Sequence, residues 1–462
     1  MRVKSIPSKW LVESGARLDC SPYMAGGLEA KLIVNTARFK KQPLRSLTSG
    51  HKGGIYNGPM FRRNYVTSKE YGVPFLTSRT MLRADLSDVD LINKADATSN
   101  KLSFLKLKTG TSLISCSGSI GNMAYVRPEM DGMWSCQDIM KVEPDRSKIP
   151  PGYLYAFLSS KYGIPQIIAG TYGAIIQHIE PEHIAELSVP RLGPKTEREI
   201  HELVEKAAEL RSVAAAARAN VRRDIEEFLG WNAASLSEQR SRVLSSTLVS
   251  SRRLDPHYHS IKSENARRAL GRNASGPELS ALAESIFEPN RSARNKVDDH
   301  AFGIPFISSS QIFKLDQAEE FYIARNTPGL SAFLIGNTDV LIPRSGSLGG
   351  VIGRACLPLP KNHGAAGSDH LIRIRCPDVN IAYEIFAILS TTPGYYSALS
   401  TAFGSAIPSL DCELLGQLHI SKLPKALKER VTTEIASTQE QYQEAVDLDL
   451  RAYELLQKAI EG

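Results

Sequence analysis

The feature that most restricts this chain is that it is written twice. "GVPFLTSRTM" at 72–81 returns as "GIPFISSSQI" at 303–312, 231 positions later, and 231 is half of the 462 residues. Before it, "RLDCSPYMA" at 17–25 is answered by "RLDPHYHS" at 253–260. After it, "LISCSGSIGNMAYV" at 113–126 is answered by "LIPRSGSLGGVIGR" at 341–354, and "WSCQDIMKVEPD" at 134–145 by "AAGSDHLIRIRCPD" at 365–378. The order persists through "YLYAFLSSKYGIPQIIAGTYGAIIQHIEPEHIAELSVPRL" and its echo "AYEIFAILSTTPGYYSALSTAFGSAIPSLDCELLGQLHISKL". Such long-period self-similarity makes the chain a tandem duplication, with each half long enough to bury a core of its own.

Each half ends in a long helix. Over 196–229 the apolar residues Ile200, Leu203, Ala207, Leu210, Ala214, Ala217 and Val221 recur at intervals of three and four. Over 427–460 the matching series is Val431, Ile435, Thr438, Tyr442, Ala445, Leu448, Ala452, Leu455 and Ala459. A heptad seam is narrower than the stripe of a helix lying on a large core, so one partner helix is expected for each. The first seam is small in its middle where the second is bulky. Pairing the two with each other buries both, with Ile200, Leu203, Leu210, Val221, Val431, Ile435, Tyr442, Leu448 and Leu455 as the spacer contacts. At about 1.5 Å per residue each helix is roughly 50 Å long.

Between the helices, short β-rich runs ("SLISCSG", "NMAYV", "DVLIPRSG", "HLIRIRC") alternate with short helical ones ("YLYAFLSSKYG", "AYEIFAILSTT"), which predicts a compact α+β domain in each half. Gly230 and "GWNAASLSEQ" mark the exit from the first helix. The glycine loops have the look of a phosphate cradle, but neither the G-K-[ST] of a P-loop nor G-x-G-x-x-G is present, and "NMAYV" after the first is another strand. They read as tight hairpins turning on Gly118 and Gly121, and on Gly346 and Gly349. A second role stays open, in which the turn and its serines (Ser117, Ser119, Ser345, Ser347) touch a nucleic-acid phosphate.

Charge points to a partner. The net formal charge is +7, and from Lys40 to Lys108 thirteen Lys or Arg face five acids, a local balance of +8 interleaved with Tyr56, Phe61, Tyr65, Tyr71 and Phe75. This suits a polyanion, and a merely solvated basic face is the alternative. The six cysteines form no C-x-x-C pair, and the histidines have no metal-ligand spacing shared by both halves, so no metal site is indicated and a reducing cytoplasm is expected. The first residues lack the apolar core of a signal peptide, and no run approaches the roughly 20 apolar residues of a membrane span.

Catalysis finds little support. An adenine methyltransferase needs [ND]-P-P-[YF], and a nuclease of the PD-x-(D/E)-x-K kind needs its own pattern; neither is found. Asp19, Asp255, Asp138 and Asp369 recur between the halves, but each stands without a second acid nearby in sequence. Asp19 and Asp255 read as partners of Arg17 and Arg253 or as turn formers. A duplicated scaffold that binds protein rather than DNA stays as a third class, separable by salt-sensitive binding to random-sequence duplex.

Taken in order, the "RLD" openings, "VPFLTS" and "IPFISS", the hairpins "SGSIGN" and "SGSLGG", "GTYGAIIQHI" and "AFGSAIPSL" before "LSVPRL" and "ISKLPK", and the terminal helices resemble the specificity (S) subunits of type I restriction-modification systems. The resemblance covers nearly the whole chain. It implies an α+β fold of two pseudo-twofold-related target recognition domains, 1–193 and 231–424, and two conserved helices, 194–230 and 425–462, paired as an antiparallel coiled coil. It implies a non-catalytic, cytoplasmic subunit that reads half of a split double-stranded DNA target with each domain. Its partners would be two methyltransferase (M) subunits and, in the restricting complex, a nuclease-translocase (R) subunit. The chain would hold no cofactor, S-adenosylmethionine belonging to the M subunit. Where the family often has "PLPPLxEQ" before the helix, this chain has "VPRLGPKTEREI" and "ISKLPKALKERV", so an M subunit from a related methylation-based defence system fits as well. Candidate DNA contacts are Lys40, Lys41, Arg62, Arg63 and Arg79 in the first domain and Arg267, Arg268, Arg272, Arg291, Arg294 and Lys296 in the second, with the four hairpin serines.

Overall fold

The paired motifs of the sequence become paired sheets. The computed structural model describes residues 5–13, 21–24, 26–169, 178–232, 243–244, 257–271, 276–291, 294–404 and 407–462. The "RLD" openings, the stretch 170–177 of "GTYGAIIQHI", most of "GWNAASLSEQ" and Arg272 lie outside these residues. The chain divides into two compact units: unit 1 is 1–212 with 444–462, and unit 2 is 213–443.

Unit 1 contains the strands β1 (Lys40–Pro43), β2 (Ile55–Tyr56), β3 (Tyr65–Val66), β4 (Gly72–Leu76), β5 (Leu91–Asn93), β6 (Ser112–Ser115), β7 (Met123–Tyr125), β8 (Trp134–Ser135), β9 (Ile139–Val142) and β10 (Ser188–Arg191). One sheet has the order β2-β9-β6-β7, a second β3-β5-β4-β8, and β1 pairs with β10. In the second sheet β8 runs parallel to β4, with Phe75 opposite Trp134. Its apolar face closes on Leu76, Met81, Ile92, Leu105 and Trp134, all buried.

Unit 2 repeats this plan. Its strands include β11 (Ser285–Phe287), β12 (Lys296–Val297), β13 (Gly303–Ile307), β14 (Phe321–Ala324), β15 (Asp339–Pro343), β16 (Ala366–Gly367) and β17 (Leu371–Arg375). The orders are β11-β17-β15 and β12-β14-β13-β16, again with the last strand parallel, Phe306 opposite Ala366. The glycines that open β4 and β13 share one physical reason. A Cβ on Gly72 would stand 2.6 Å from Val66 Cγ2 and 2.8 Å from Leu91 Cβ, and one on Gly303 would stand 2.6 Å from Tyr322 Cβ and 2.8 Å from Val297 Cγ2. The glycine loop of unit 1 joins β6 to β7 with Gly118 and Gly121 at positive φ, as expected of a hairpin. In unit 2 the return is reduced to a single bridge, Leu341 to Cys356.

Among the helices, those that carry the frame are α1 (Pro151–Leu158), α2 (Pro194–Phe228), α3 (Val379–Leu389) and α4 (Lys425–Glu461). Gly230, at φ +68°, ends α2 as expected: Trp231 N–H reaches the Glu226 carbonyl at 2.9 Å and Gly230 N–H that of Glu227 at 3.0 Å. The buried stripe of α2 is broader than a seam. Val204, Ala208 and Arg211 are buried beside Ile200, Ala207, Ala214 and Val221, while Leu203 and Leu210 are only half-buried. On α4, Val446, Leu456 and Ile460 are buried, while Leu448 and Leu455 are half-buried. The expectation of one partner per helix is therefore corrected. In unit 1, Ile200, Val204 and Ala208 belong to one core with Tyr153, Leu154 and Phe157 of α1 and with Ala452, Leu456 and Ile460 of α4, so there both long helices pack on α1 as well as on each other.

The long helices meet within both units. In unit 1, Arg211 pairs with Asp449 at 2.6 Å and Lys206 with Glu444 at 2.6 Å. In unit 2, Arg218 donates to Thr438 at 3.0 Å and to Gln439 at 2.7 Å, and Arg430 pairs with Asp224 at 2.9 Å, so there the two segments run in opposite directions. Among the described residues no helix is long and apolar enough to cross a membrane.

Candidate nucleic-acid interface

In each unit the same kind of clamp holds one arginine on the sheet that ends in a parallel strand. Phe75, buried on β4, carries the Arg63 guanidinium 5.6 Å from its ring centroid. Arg63 Nη2 donates to Gln137 Oε1 at 3.0 Å and reaches Asp138 Oδ2 at 3.4 Å, both on the turn between β8 and β9. That turn is tied from beneath by the buried Lys141, whose Nζ donates to the Cys136 carbonyl at 3.1 Å and the Ile139 carbonyl at 2.7 Å. Burial lowers the Lys141 pKa to about 8.

Unit 2 builds the clamp from matching parts. Arg294 lies 4.8 Å from the centroid of buried Phe306 and pairs through Nη2 with Asp369 Oδ1. Beneath the turn, the buried Arg373 donates to the carbonyls of Leu371 at 2.9 Å, Phe333 at 2.8 Å and Gly367 at 2.9 Å, and burial lowers its pKa to about 10. Phe306 also stacks on Phe321 with centroids 4.6 Å apart, and the Lys296 ammonium stands 3.8 Å from the Phe321 centroid. Two cations and two rings thus form one column, each contact of the kind worth about 0.5–2 kcal/mol.

The electrostatics favour charged clamps. Burial works against the Arg63 charge, but hydrogen bonding to Tyr65 and the surrounding negative groups raise its pKa above the ordinary value. Burial would lift the Asp369 carboxyl, yet the charge and hydrogen bond of Arg294 hold it below the ordinary value. Neither arginine is sealed off: the side chains are 28% and 34% exposed.

The remaining candidates are dispersed. Lys40 is exposed on β1, and Lys41 Nζ donates to the carbonyls of Ala37 at 2.5 Å and Asn35 at 2.8 Å, closing the end of a preceding helix. Arg62, Arg79 and Arg291 are exposed. Arg267 packs on Tyr258 at 3.9 Å, and Arg268 pairs with Glu264 at 2.5 Å within its own helix. Ser119 and Ser347 are exposed at the tips of their glycine loops; Ser117 bridges to His178, and Ser345 bridges to Ser409 and lies 3.3 Å from His370 Nδ1.

The sequence reading missed Gln137, Lys141 and Arg373, and it set Asp138 and Asp369 aside because no second acid stood near them in sequence. A signal was present, since Arg63, Phe75 and Asp138 each recur 231 positions on, as Arg294, Phe306 and Asp369. Unit 1 also has a cleft of about 320 Å³ bordered by His51, Tyr56, Phe104, Lys108 and Glu143, in which Glu143 accepts from Tyr56 and from Lys108 Nζ at 2.9 Å. Among the described residues no three His, Cys, Asp or Glu gather as a metal site would require.

No family model and no curated protein matches the sequence. Solved structures similar to this chain include the S subunit of a type I restriction-modification system from M. genitalium, at 13% identity and a TM-score of 0.37, over 92% of this chain and 96% of that one. Another is the HsdS subunit from Thermoanaerobacter tengcongensis, at 14% identity and a TM-score of 0.29, over 92% of this chain and 97% of that one.

Proposed function

We propose that this chain is the DNA-specificity subunit of a type I, or type I-like, restriction-modification or phage-defence complex. In this reading it performs no chemistry. Residues 1–193 and 231–424 each recognise one half of a bipartite duplex site, and the helices of 194–230 and 425–462 pair as an antiparallel coiled coil that sets the spacing of the halves. Two methyltransferase subunits, which bring S-adenosylmethionine, and a nuclease-translocase subunit dock on this frame.

The observation that carries the reading is the clamp of arginine, phenylalanine and turn acid, made once in each unit on sheets of the same strand order. A duplex offers two half-sites of the same chemistry and different sequence. A protein with two copies of one scaffold and different exposed side chains matches that demand, and its basic first domain supplies phosphate contacts that fix register without reading bases. Two half-sites spaced along one duplex also require a spacer of defined length, and paired helices of about 50 Å provide it.

The deciding experiment is methylome sequencing of a host carrying this gene with its neighbouring methyltransferase gene. The expected result is one asymmetric motif of two specified blocks separated by an unspecified gap, absent from the host without the gene. A methylome that the gene does not alter, with no salt-sensitive binding of the assembled complex to duplex DNA, refutes the reading and leaves the protein-binding scaffold.

A further inference from the structure

We propose that Arg63 and Arg294 are the guanine readers of this protein, one for each half of the DNA site; the inference rests on the function proposed above. An arginine distinguishes guanine by presenting two parallel N–H donors to O6 and N7 in the major groove. That contact demands a guanidinium whose plane and edge are set in advance, because a freely rotating side chain meets phosphates and bases alike.

Both arginines are set in this way from two sides. One face lies on a buried phenylalanine, Phe75 or Phe306, which fixes the plane. One Nη is held by the turn, through Gln137 and Asp138 or through Asp369, which fixes the edge. The turns themselves are anchored from beneath by Lys141 and Arg373, so the tether does not swing. In unit 1 the exposed Tyr65 also hydrogen-bonds Arg63, and the rest of each guanidinium faces solvent, on side chains that are 28% and 34% exposed.

The acid also selects the kind of partner. Asp138 and Asp369 offset much of the charge beside them, so a phosphate approaching the clamp gains little Coulombic energy and meets a carboxylate. A neutral pair of acceptors meets no such repulsion, and the directional hydrogen bonds remain available. The exposed Arg62, Arg79 and Arg291 suit phosphates instead. The two clamps differ in strength: Arg63 is held by an amide at 3.0 Å with the carboxylate farther off at 3.4 Å, whereas Arg294 is held directly by the nearly buried Asp369. Arg294 should therefore discriminate more sharply.

The test uses the full chain in its assembled complex, with the methylated motif read genome-wide. The wild-type motif should specify a G·C pair in each half. Arg63→Gln should lower discrimination at that pair by roughly 5- to 150-fold in one half only, and Arg294→Gln should do the same in the other half only. A wild-type motif with no specified G·C pair in one half overturns the proposal, and so does a variant that weakens methylation equally at all sequences, the mark of a phosphate contact. Should Arg294→Gln abolish methylation altogether, Asp369→Asn keeps the arginine and the shape of its tether. Relaxation at the same G·C pair supports the proposal, and an unaltered motif overturns it. A wild-type complex that methylates no split motif refutes the proposed function itself, a failure distinct from these.

Discussion

Replacing Asp449 by Ala should destabilise the contact between the long helices in unit 1 by about 3–5 kcal/mol, because it strands a buried guanidinium. Arg211 is 6% exposed and its Nη1 lies 2.6 Å from the Asp449 carboxylate, with the half-buried Tyr155 and Tyr453 beside it. The positions 231 residues away from Arg211, Asp449 and Tyr155 are Tyr442, Arg218 and Phe386. In unit 2 those three also meet: the Arg218 guanidinium lies 4.6 Å from the Tyr442 centroid and 5.1 Å from that of Phe386. One slot of the duplicated fold is thus filled by an ion pair in one unit and by a cation on aromatic rings in the other. If the slots are equivalent, the second solution should work in the first place. Arg211→Tyr alone leaves Asp449 without its cation, and Asp449→Arg alone sets two guanidiniums together, so each should cost about 3 kcal/mol or more. The double variant should return to within about 1.5 kcal/mol of wild type, a coupling well above the few tenths expected of independent sites. Because the chain has two units, hydrogen exchange of the amides at 205–215 and 445–455 is the appropriate assay, with urea unfolding as support. Additive costs in the double variant would refute the equivalence of the two slots.

Three further outcomes are expected. Arg62→Ala should reduce the slope of log affinity for random duplex against log salt by about 1, read by titration at several salt concentrations, with no change in base preference. Gly72→Ala and Gly303→Ala should each destabilise their own unit by about 1–3 kcal/mol, since the new methyl overlaps a side chain of the adjacent strand and one of the strand beyond it; thermal melts with exchange mapping would separate the units. Hydrogen bonds from Lys161, Tyr162 and Gln457 hold the Glu461 pKa at about 2, below its ordinary value of 4.5. The stabilisation is therefore full above about pH 4.5 and lost as pH falls towards 2, so the last turn of α4 should fray over that window, and Glu461→Gln should remove the pH dependence seen by exchange at 455–461.

The duplication, the long helices and the α+β character of each half are legible in the sequence because each depends on local or periodic information. Period-3.5 apolar spacing specifies a helix wherever it occurs, Gly230 ends α2 through its own positive φ, and a motif repeated at 231 residues declares two copies of one scaffold whatever its shape. The glycine loop of unit 1 is equally local, a strand, a turn and a strand, and reads as a hairpin rather than a nucleotide cradle.

What the sequence could not rank was its cations. Arg62 and Arg63 are neighbours of identical chemistry, yet one is exposed and the other lies on Phe75 against Gln137 and Asp138, 74 and 75 residues farther along the chain. Lys41 lies in the basic segment, yet its ammonium is occupied by the Asn35 and Ala37 carbonyls at the end of a helix. The width of the helix stripe is hidden in the sequence for the same reason. Val204, Ala208 and Leu456 fall outside a strict heptad, and their burial depends on α1 lying alongside. Periodicity reports what one element can present, whereas the partner that accepts it comes from another part of the chain. Only when the parallel pairing of β8 with β4, and of β16 with β13, brings the following turn over the buried phenylalanine does an ordinary surface arginine become a fixed one.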